Sequence, residues 1–163
     1  RVVLGPQDDY FTDAGIQTFL SEVYTVTPEF DRMGCRLDGA YIAPKESSDI
    51  ISDGIAFGSI QVPAHGKPII LLADRQTTGG YAKIATVASV DIPKIVQRKT
   101  DHKIRFQAIT VQEAQELYLK EQNKIVSTVE LTVKEDIKKA KAKFEEALET
   151  ARQQLTALYE TNS

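Results

Sequence analysis

Four large aliphatic residues stand side by side at Ile69-Ile70-Leu71-Leu72, and the run stops abruptly at Asp74-Arg75-Gln76-Thr77-Thr78. An apolar run without alternation predicts a short strand with neither face turned to water, of a length that suits a central strand better than a helix. Around it the pattern alternates with the period of two that marks half-buried strands. Val2 to Leu4 ends at the breaker Gly5-Pro6, and residues 22–26 end at Thr27-Pro28. Met33, Cys35 and Leu37 fall on one face of a strand, with Arg32, Gly34, Arg36 and Asp38 on the other. Ile60 and Val62 flank Gln61, and residues 83–88 and 103–108 alternate again. The turn residues 63–67 predict a hairpin that brings Gln61 beside the central strand. Residues 47–58, with Asp53-Gly54, predict a connection containing a short Ile50-Ile51 piece, and Gly79-Gly80 predicts a turn or a close backbone approach.

Helix is scarce until the end of the chain. Thr12 or Asp13 caps a short helix carrying Ile16, Phe19 and Leu20, in which Gly15 costs roughly 1 kcal/mol relative to Ala. Residues 91–96 resemble a capped helical turn with Pro93 near its start. Many short strands with little helix predict a mainly β chain, closed or nearly closed as a barrel over residues 1–109, followed by C-terminal helices over 110–163. In that tail Thr110-Val111-Gln112-Glu113 and Thr132-Val133-Lys134-Glu135 both read as capping boxes, so two helices are expected, split near Ser127-Thr128. Ile137, Ala140, Phe144, Ala147, Ala151 and Leu158 form an apolar seam, with Leu155 one place off it. The seam is expected to pack on Leu117 and Ile125 in a hairpin or on a second chain, as a homo-oligomer.

At 163 residues, 42% hydrophobic and 26% charged, the composition is that of one globular domain with its own core. The net charge of −3 offers no basic footprint for nucleic acid, and no apolar run is long enough for a membrane helix. The lysines between Lys134 and Lys143 read as a solvated helix face. Cys35 is the only cysteine, which excludes an internal disulfide, and without a secretory pattern it points to the cytoplasm. Cys35 reads as a small buried hydrophobe, since His65 and His102 both lie far from it in loop-like contexts, and no metal site is expected.

The residues that follow the central strand are where chemistry concentrates. The sequence alone leaves Asp74 to Tyr81 open between an ordinary polar loop and a site presented by a rigid strand end. It leaves Arg32 and Arg36 open between a solvated face paired to Asp31 and Asp38 and two guanidinium forks for an anionic or carbonyl-bearing substrate. No Walker A loop, GxGxxG, GxSxG, HExxH or CxxC occurs, so the polar cluster suits positioning and polarising a substrate rather than covalent attack.

The stretch Asp74-Arg75-Gln76-Thr77-Thr78-Gly79-Gly80-Tyr81 resembles the signature of the KipA family, also called allophanate hydrolase subunit 2 or the C subunit of 5-oxoprolinase. Gly5-Pro6-Gln7, Asp31-Arg32-Met33-Gly34 with Arg36-Leu37, Ser52-Asp53-Gly54-Ile55 and Ile60-Gln61-Val62-Pro63 carry the resemblance over residues 1 to about 110. The resemblance implies a cyclophilin-like barrel. It also implies that the chain, which begins at Arg1 on a strand, is the C-terminal part of a longer protein whose N-terminal half is missing. The implied activity is that of a subunit of ATP-dependent 5-oxoprolinase, opening 5-oxoproline to glutamate with a KipI-like partner. ATP is expected in the whole complex and not on this fragment, which alone should be inactive. Arg32, Arg36, Gln61, Thr77, Thr78, Gly79, Gly80 and Tyr81 are implied to hold the substrate. Arg75 is implied to be catalytic, with Asp74 aligning it or acting as a base. The family also implies two other roles: antagonism of KipI, an inhibitor of a sporulation histidine kinase, and an allophanate hydrolase or urea carboxyltransferase subunit.

Overall fold

The computed structural model describes residues 1–161, and for 151 and 154–161 the backbone alone. Nine strands are described: β1 (Val2–Leu4), β2 (Tyr24–Phe30), β3 (Gly34–Asp38), β4 (Asp49–Gly54), β5 (Ser59–Gln61), β6 (Ile69–Leu71), β7 (Thr78–Tyr81), β8 (Lys83–Val87) and β9 (Lys103–Ile104). Three α-helices accompany them: α1 (Asp13–Ser21), α2 (Ile92–Val96) and α3 (Val111–Thr161). The chain divides into two compact units, Arg1–Tyr118 and Leu119–Ser163.

The first unit is a curled antiparallel sheet of seven strands in the order β1-β8-β5-β6-β3-β2-β9. Its two ends meet, because the Val2 N–H donates to the Gln107 carbonyl and the Ile109 N–H to the Val2 carbonyl, both at 2.8 Å. The Val2 backbone groups, which an open sheet would leave unpaired, are satisfied in this way. The mainly β architecture followed by a C-terminal helical segment is therefore as the strand pattern indicated. Inside the curl the Phe19, Tyr24 and Phe106 rings pack with Val26, Ile42, Ile60, Ile70 and Ile84.

Several local expectations are corrected. β6 is the middle strand of the order, yet it is not buried on both faces: Ile70 and Leu72 enter the core, whereas Ile69 and Leu71 are half-buried on the opposite side. The aliphatic run persists because that second side is the apolar lining of a groove. β2 continues through Pro28, since the ladder to β3 shifts register between Val26 and Phe30 and asks no N–H of the proline. Residues 49–54, expected as a connection, form strand β4, and the glycine pair, expected as a turn or a close backbone approach, lies within strand β7; the two strands pair as a separate two-stranded sheet. β9 is only two residues long, and the chain beyond it serves the closure with β1.

Helix α1 starts where expected, with the Thr12 hydroxyl accepting the Gly15 N–H at 2.9 Å. Gly15 itself is not a weakness. A Cβ there would lie 2.4 Å from the Ala43 carbonyl oxygen, a backbone atom that cannot step aside. We expect Gly15→Ala to destabilise the protein by roughly 1 kcal/mol or more, because overpacking of about 1–3 kcal/mol outweighs the gain in helix propensity. A rise in melting temperature would refute this reading.

The tail is one helix and not two. The Thr110 capping box forms as expected, with the Thr110 N–H donating to Glu113 Oε2 at 2.7 Å and the Glu113 N–H to the Thr110 hydroxyl at 3.1 Å. The second box does not form. Ser127, Thr128 and Thr132 turn their hydroxyls back onto the carbonyls of Asn123, Lys124 and Thr128 at 2.9–3.0 Å, which satisfies them inside an unbroken helix. With no break at residues 127–128 there is no turn for the expected hairpin. Of the apolar seam, Ile137 and Phe144 are exposed, and Ala151, Leu155 and Leu158 lie outside the described side chains. Among the described residues no helix is long and apolar enough to cross a membrane.

Candidate functional site

Strand register places one row of side chains across four strands on the side of the sheet away from the core. Lys83 lies opposite Gln61, Gln61 opposite Ile69 and Ile69 opposite Arg36, while Leu71 faces Gly34 in the next row. The row depends on an irregularity. Ile60 pairs with Ala85 but Gln61 with Lys83, so Ile84 is an extra residue in β8. Such a bulge re-aims the side chains that follow it, and here it brings Lys83 to the Gln61 side.

Over part of this row lies a groove of about 480 Å³. Met33, Ile69 and Leu71 supply apolar lining, Glu29, Asp31, Arg36, Gln61, Arg75 and Gln76 its polar groups, and Ile55, just after β4, and Tyr81 of β7 complete it. Apolar surface with a few convergent polar groups is the usual make-up of a small-molecule site.

Arg75 is held by the backbone around it. Its Nε donates to the Ile55 carbonyl at 3.1 Å, its Nη1 to the Leu72 carbonyl at 3.3 Å, and its guanidinium lies 5.6 Å from the Phe57 ring centroid. Nε and Nη1 are thus fixed by backbone carbonyls, and Arg75 is among the residues that line the groove. Gln61 is only 6% exposed, with Nε2 donating to the Tyr81 carbonyl at 3.2 Å. Gly79 makes that contact feasible, since a Cβ there would sit 2.8 Å from Gln61 Nε2 and 2.8 Å from Ile55 Cδ1. Arg36 pairs with Glu29 at 2.9 Å at the groove's edge. Thr77, Thr78 and Gly80 act through the backbone or register: the Thr77 carbonyl accepts the Ile55 N–H, Thr78 pairs with Gly54, and Gly80 lies within β7.

The structure separates Arg32 and Asp74 from this group. The Asp31 carboxylate accepts the N–H groups of Met33 and Gly34 at 2.8 and 3.1 Å, making a turn that takes Arg32 out of the strand and away from the Arg36 face. Arg32 instead forms a two-pronged pair with Asp74 at 2.6 and 3.0 Å. That pairing raises the Arg32 pKa and holds the Asp74 carboxyl below its usual range. Asp74 is therefore the partner of Arg32 and not of Arg75, and both sides of the pair are well exposed, where ion pairs contribute little. Cys35 is buried as expected, and burial pushes its thiol up to about 11.

Sequence reasoning gave no role to Lys83, which is 1% exposed and bonded through Nζ to Asp53 Oδ2 at 2.9 Å. Gln7 Nε2 donates to the same oxygen at 2.9 Å. Gln7 and Asp53 stand in stretches that carry the family resemblance, so their signal is present in the sequence without its meaning. The Lys83 ammonium first, and Gln7 after it, hold the Asp53 carboxyl at about 2 against an ordinary 3.8. A depressed carboxyl favours the folded state above its unfolded value, and this contribution is lost as pH falls from 3.8 through about 2. A carboxyl-carbon NMR titration should therefore give Asp53 a midpoint near 2. A midpoint at the ordinary value would exclude the Lys83–Asp53 pair in solution. Among the described residues no three His, Cys, Asp or Glu side chains gather as a metal-binding group.

Comparison with known proteins shows the family and the fold. The chain is 42% identical over 109 residues to the 5-oxoprolinase C subunit of Haemophilus influenzae, covering 63% of this chain and 35% of that protein. It is 32% identical over 114 residues to the 5-oxoprolinase C subunit of Escherichia coli, covering 70% of this chain and 37% of that one. It thus spans little more than a third of the length of these curated relatives. Among solved structures, the urea carboxylase of Kluyveromyces lactis superposes with a TM-score of 0.72 at 24% identity, over 76% of this chain and 12% of that one, a likeness of fold. The urea amidolyase of the same yeast gives the same score and identity over 8% of its chain. The model of the carboxyltransferase domain, subdomain A and B, matches residues 1–108, the curled sheet together with the groove it carries, and to that family this chain belongs.

Proposed function

We propose that this chain is part of a 5-oxoprolinase C subunit, in which the groove on the β6 face holds the small cyclic amide 5-oxoproline while it is opened to glutamate. The observation that carries the reading is the groove's mixture of groups. An apolar lining from Ile69 and Leu71 suits the ring, the Gln61 and Gln76 side chains suit an amide, and the Arg75 guanidinium suits a carboxylate or a lactam oxygen. The 42% identity to a protein of that name supports the same substrate class.

The residues that would act are Arg75, Gln61 and Arg36, with Tyr81 and Ile55 covering the substrate. Asp74 has no part in this scheme as a base, since its carboxylate is taken by Arg32. ATP is used in the whole complex and not on these residues, and a KipI-like subunit together with the rest of this protein completes the site. The fold likeness to a urea carboxylase favours a second reading, in which the groove takes a smaller planar amide such as urea or allophanate. The test is ATP-dependent hydrolysis of 5-oxoproline by the full-length protein with its partner, with urea and allophanate offered in parallel. Turnover of 5-oxoproline alone supports the first reading and turnover of urea or allophanate the second. Tight partner binding without any turnover would favour a regulatory role as antagonist of KipI.

A further inference from the structure

The β4–β7 sheet has almost no core of its own. β4 is exposed at five of its six positions and β7 at both ends, so apolar burial seats this sheet only through Ile50, which packs on the core, and Ile55 just beyond β4. A segment with few buried apolar contacts opens locally at low cost unless polar contacts hold it. Those contacts are few and specific. Gln61 Nε2 reaches the Tyr81 carbonyl, Arg75 Nε reaches the Ile55 carbonyl, and Lys83 Nζ reaches Asp53 Oδ2.

Lys83 differs from the other two, because among the described residues it is the least exposed charged side chain, and lysine is almost never buried without a partner. Its strand is tied to Gln7 in both directions, by Lys83 N–H to Gln7 Oε1 and Gln7 N–H to the Lys83 carbonyl, each at 3.1 Å. Gln7 Nε2 and Lys83 Nζ then converge on one carboxylate oxygen of β4. Lys83 of the seven-stranded sheet and Gln7, tied to it through the backbone, thus both hold Asp53, and next to Asp53 the chain leads to Ile55 in the groove wall.

We propose that Lys83 is a positioning residue for the groove: through Asp53 it fixes the β4–β7 sheet over the substrate and sets where Ile55 and Tyr81 meet it. The long stem of lysine fills the gap between the sheets while its ammonium reaches across. Methionine would fill the same gap without reaching. The kinetic part of this inference rests on the function proposed above. The placement of the sheet does not.

The experiment uses the full-length protein with its partner and compares wild type with Lys83→Met, Asp53→Asn and the double variant. Amides of residues 49–55 and 78–81 should exchange with deuterium at least about tenfold faster in Lys83→Met, the change expected for losing one charged hydrogen bond, with amides of β3 and β6 unaffected. The KM for 5-oxoproline should rise by about tenfold while kcat changes less than about threefold, the pattern of lost substrate binding rather than lost chemistry. Asp53→Asn should do the same, and the double variant should be no worse than either alone, because both break one link. Unchanged exchange in residues 49–55, or additive effects in the double variant, would overturn the proposal. Should Lys83→Met fail to fold, Asp53→Asn carries both measurements, since Asp53 is half exposed and its loss leaves no cavity. Should wild type not turn over 5-oxoproline, the proposed function fails while the exchange measurement still decides the role of Lys83.

Discussion

Arg75→Lys in the full-length protein should lower kcat/KM for 5-oxoproline by roughly 2–4 kcal/mol in transition-state binding, a loss of about 30- to 1000-fold. Lysine keeps the charge but loses the planar fork, a cost that the sequence alone foretells. The structure adds a second cost. The guanidinium spans two backbone carbonyls, those of Ile55 and Leu72, and stacks on Phe57, and a single ammonium cannot reach all three. Stability should therefore fall as well, by about 1–3 kcal/mol for the hydrogen bonds lost. Turnover and thermal unfolding measured on the same sample separate the two costs. Near wild-type turnover would remove Arg75 from the site, and an unchanged melting temperature would show that its contacts with Ile55 and Leu72 contribute nothing.

Phe19→Ala should damage the fold severely, at about 3–5 kcal/mol. Phe19 is completely buried and stacks on Phe106 with centroids 4.5 Å apart and planes at 25°, while Tyr24 leans on both rings. The three residues come from α1, β2 and the segment after β9. That segment also closes the sheet, because Gln107 accepts the Val2 N–H. Truncating Phe19 therefore leaves a cavity directly behind the seam between β1 and the end of the sheet. At this chain length each kcal/mol shifts the melting temperature by about 2–4 °C, so a drop on the order of 10 °C is expected in a thermal melt. A shift of less than about 2 °C would mean that the rings do not form the core of the closure.

The elements that came through from the sequence are those whose cause is local. Alternation at residues 34–38, a strand at 83–87, the Thr12 and Thr110 caps and the central place of the Ile69–Leu71 run all follow from side chains within a few residues of one another. Thr132 shows the limit of that reasoning: its spacing to Glu135 is that of a cap, but a hydroxyl already inside a helix has the carbonyl of Thr128 within reach and takes it. The aliphatic run shows another limit. Four aliphatic residues in a row announce two apolar faces, and nothing in them says that one face is a core and the other a groove.

The sequence by itself determined that this chain is a β-rich body with a helical end and where most strands of its main sheet lie, because period, capping and the resemblance of contiguous motifs are properties of short segments. Only the tertiary structure decided the partners. Arg32 went to Asp74, 42 residues away, Arg75 went to the Ile55 carbonyl, and one extra residue in β8 placed Lys83 beside Gln61 and within reach of Asp53. Each of these contacts depends on register between strands distant in sequence. Shifting a strand by one residue exchanges its two faces, and no pattern within a single strand records where its neighbour was set.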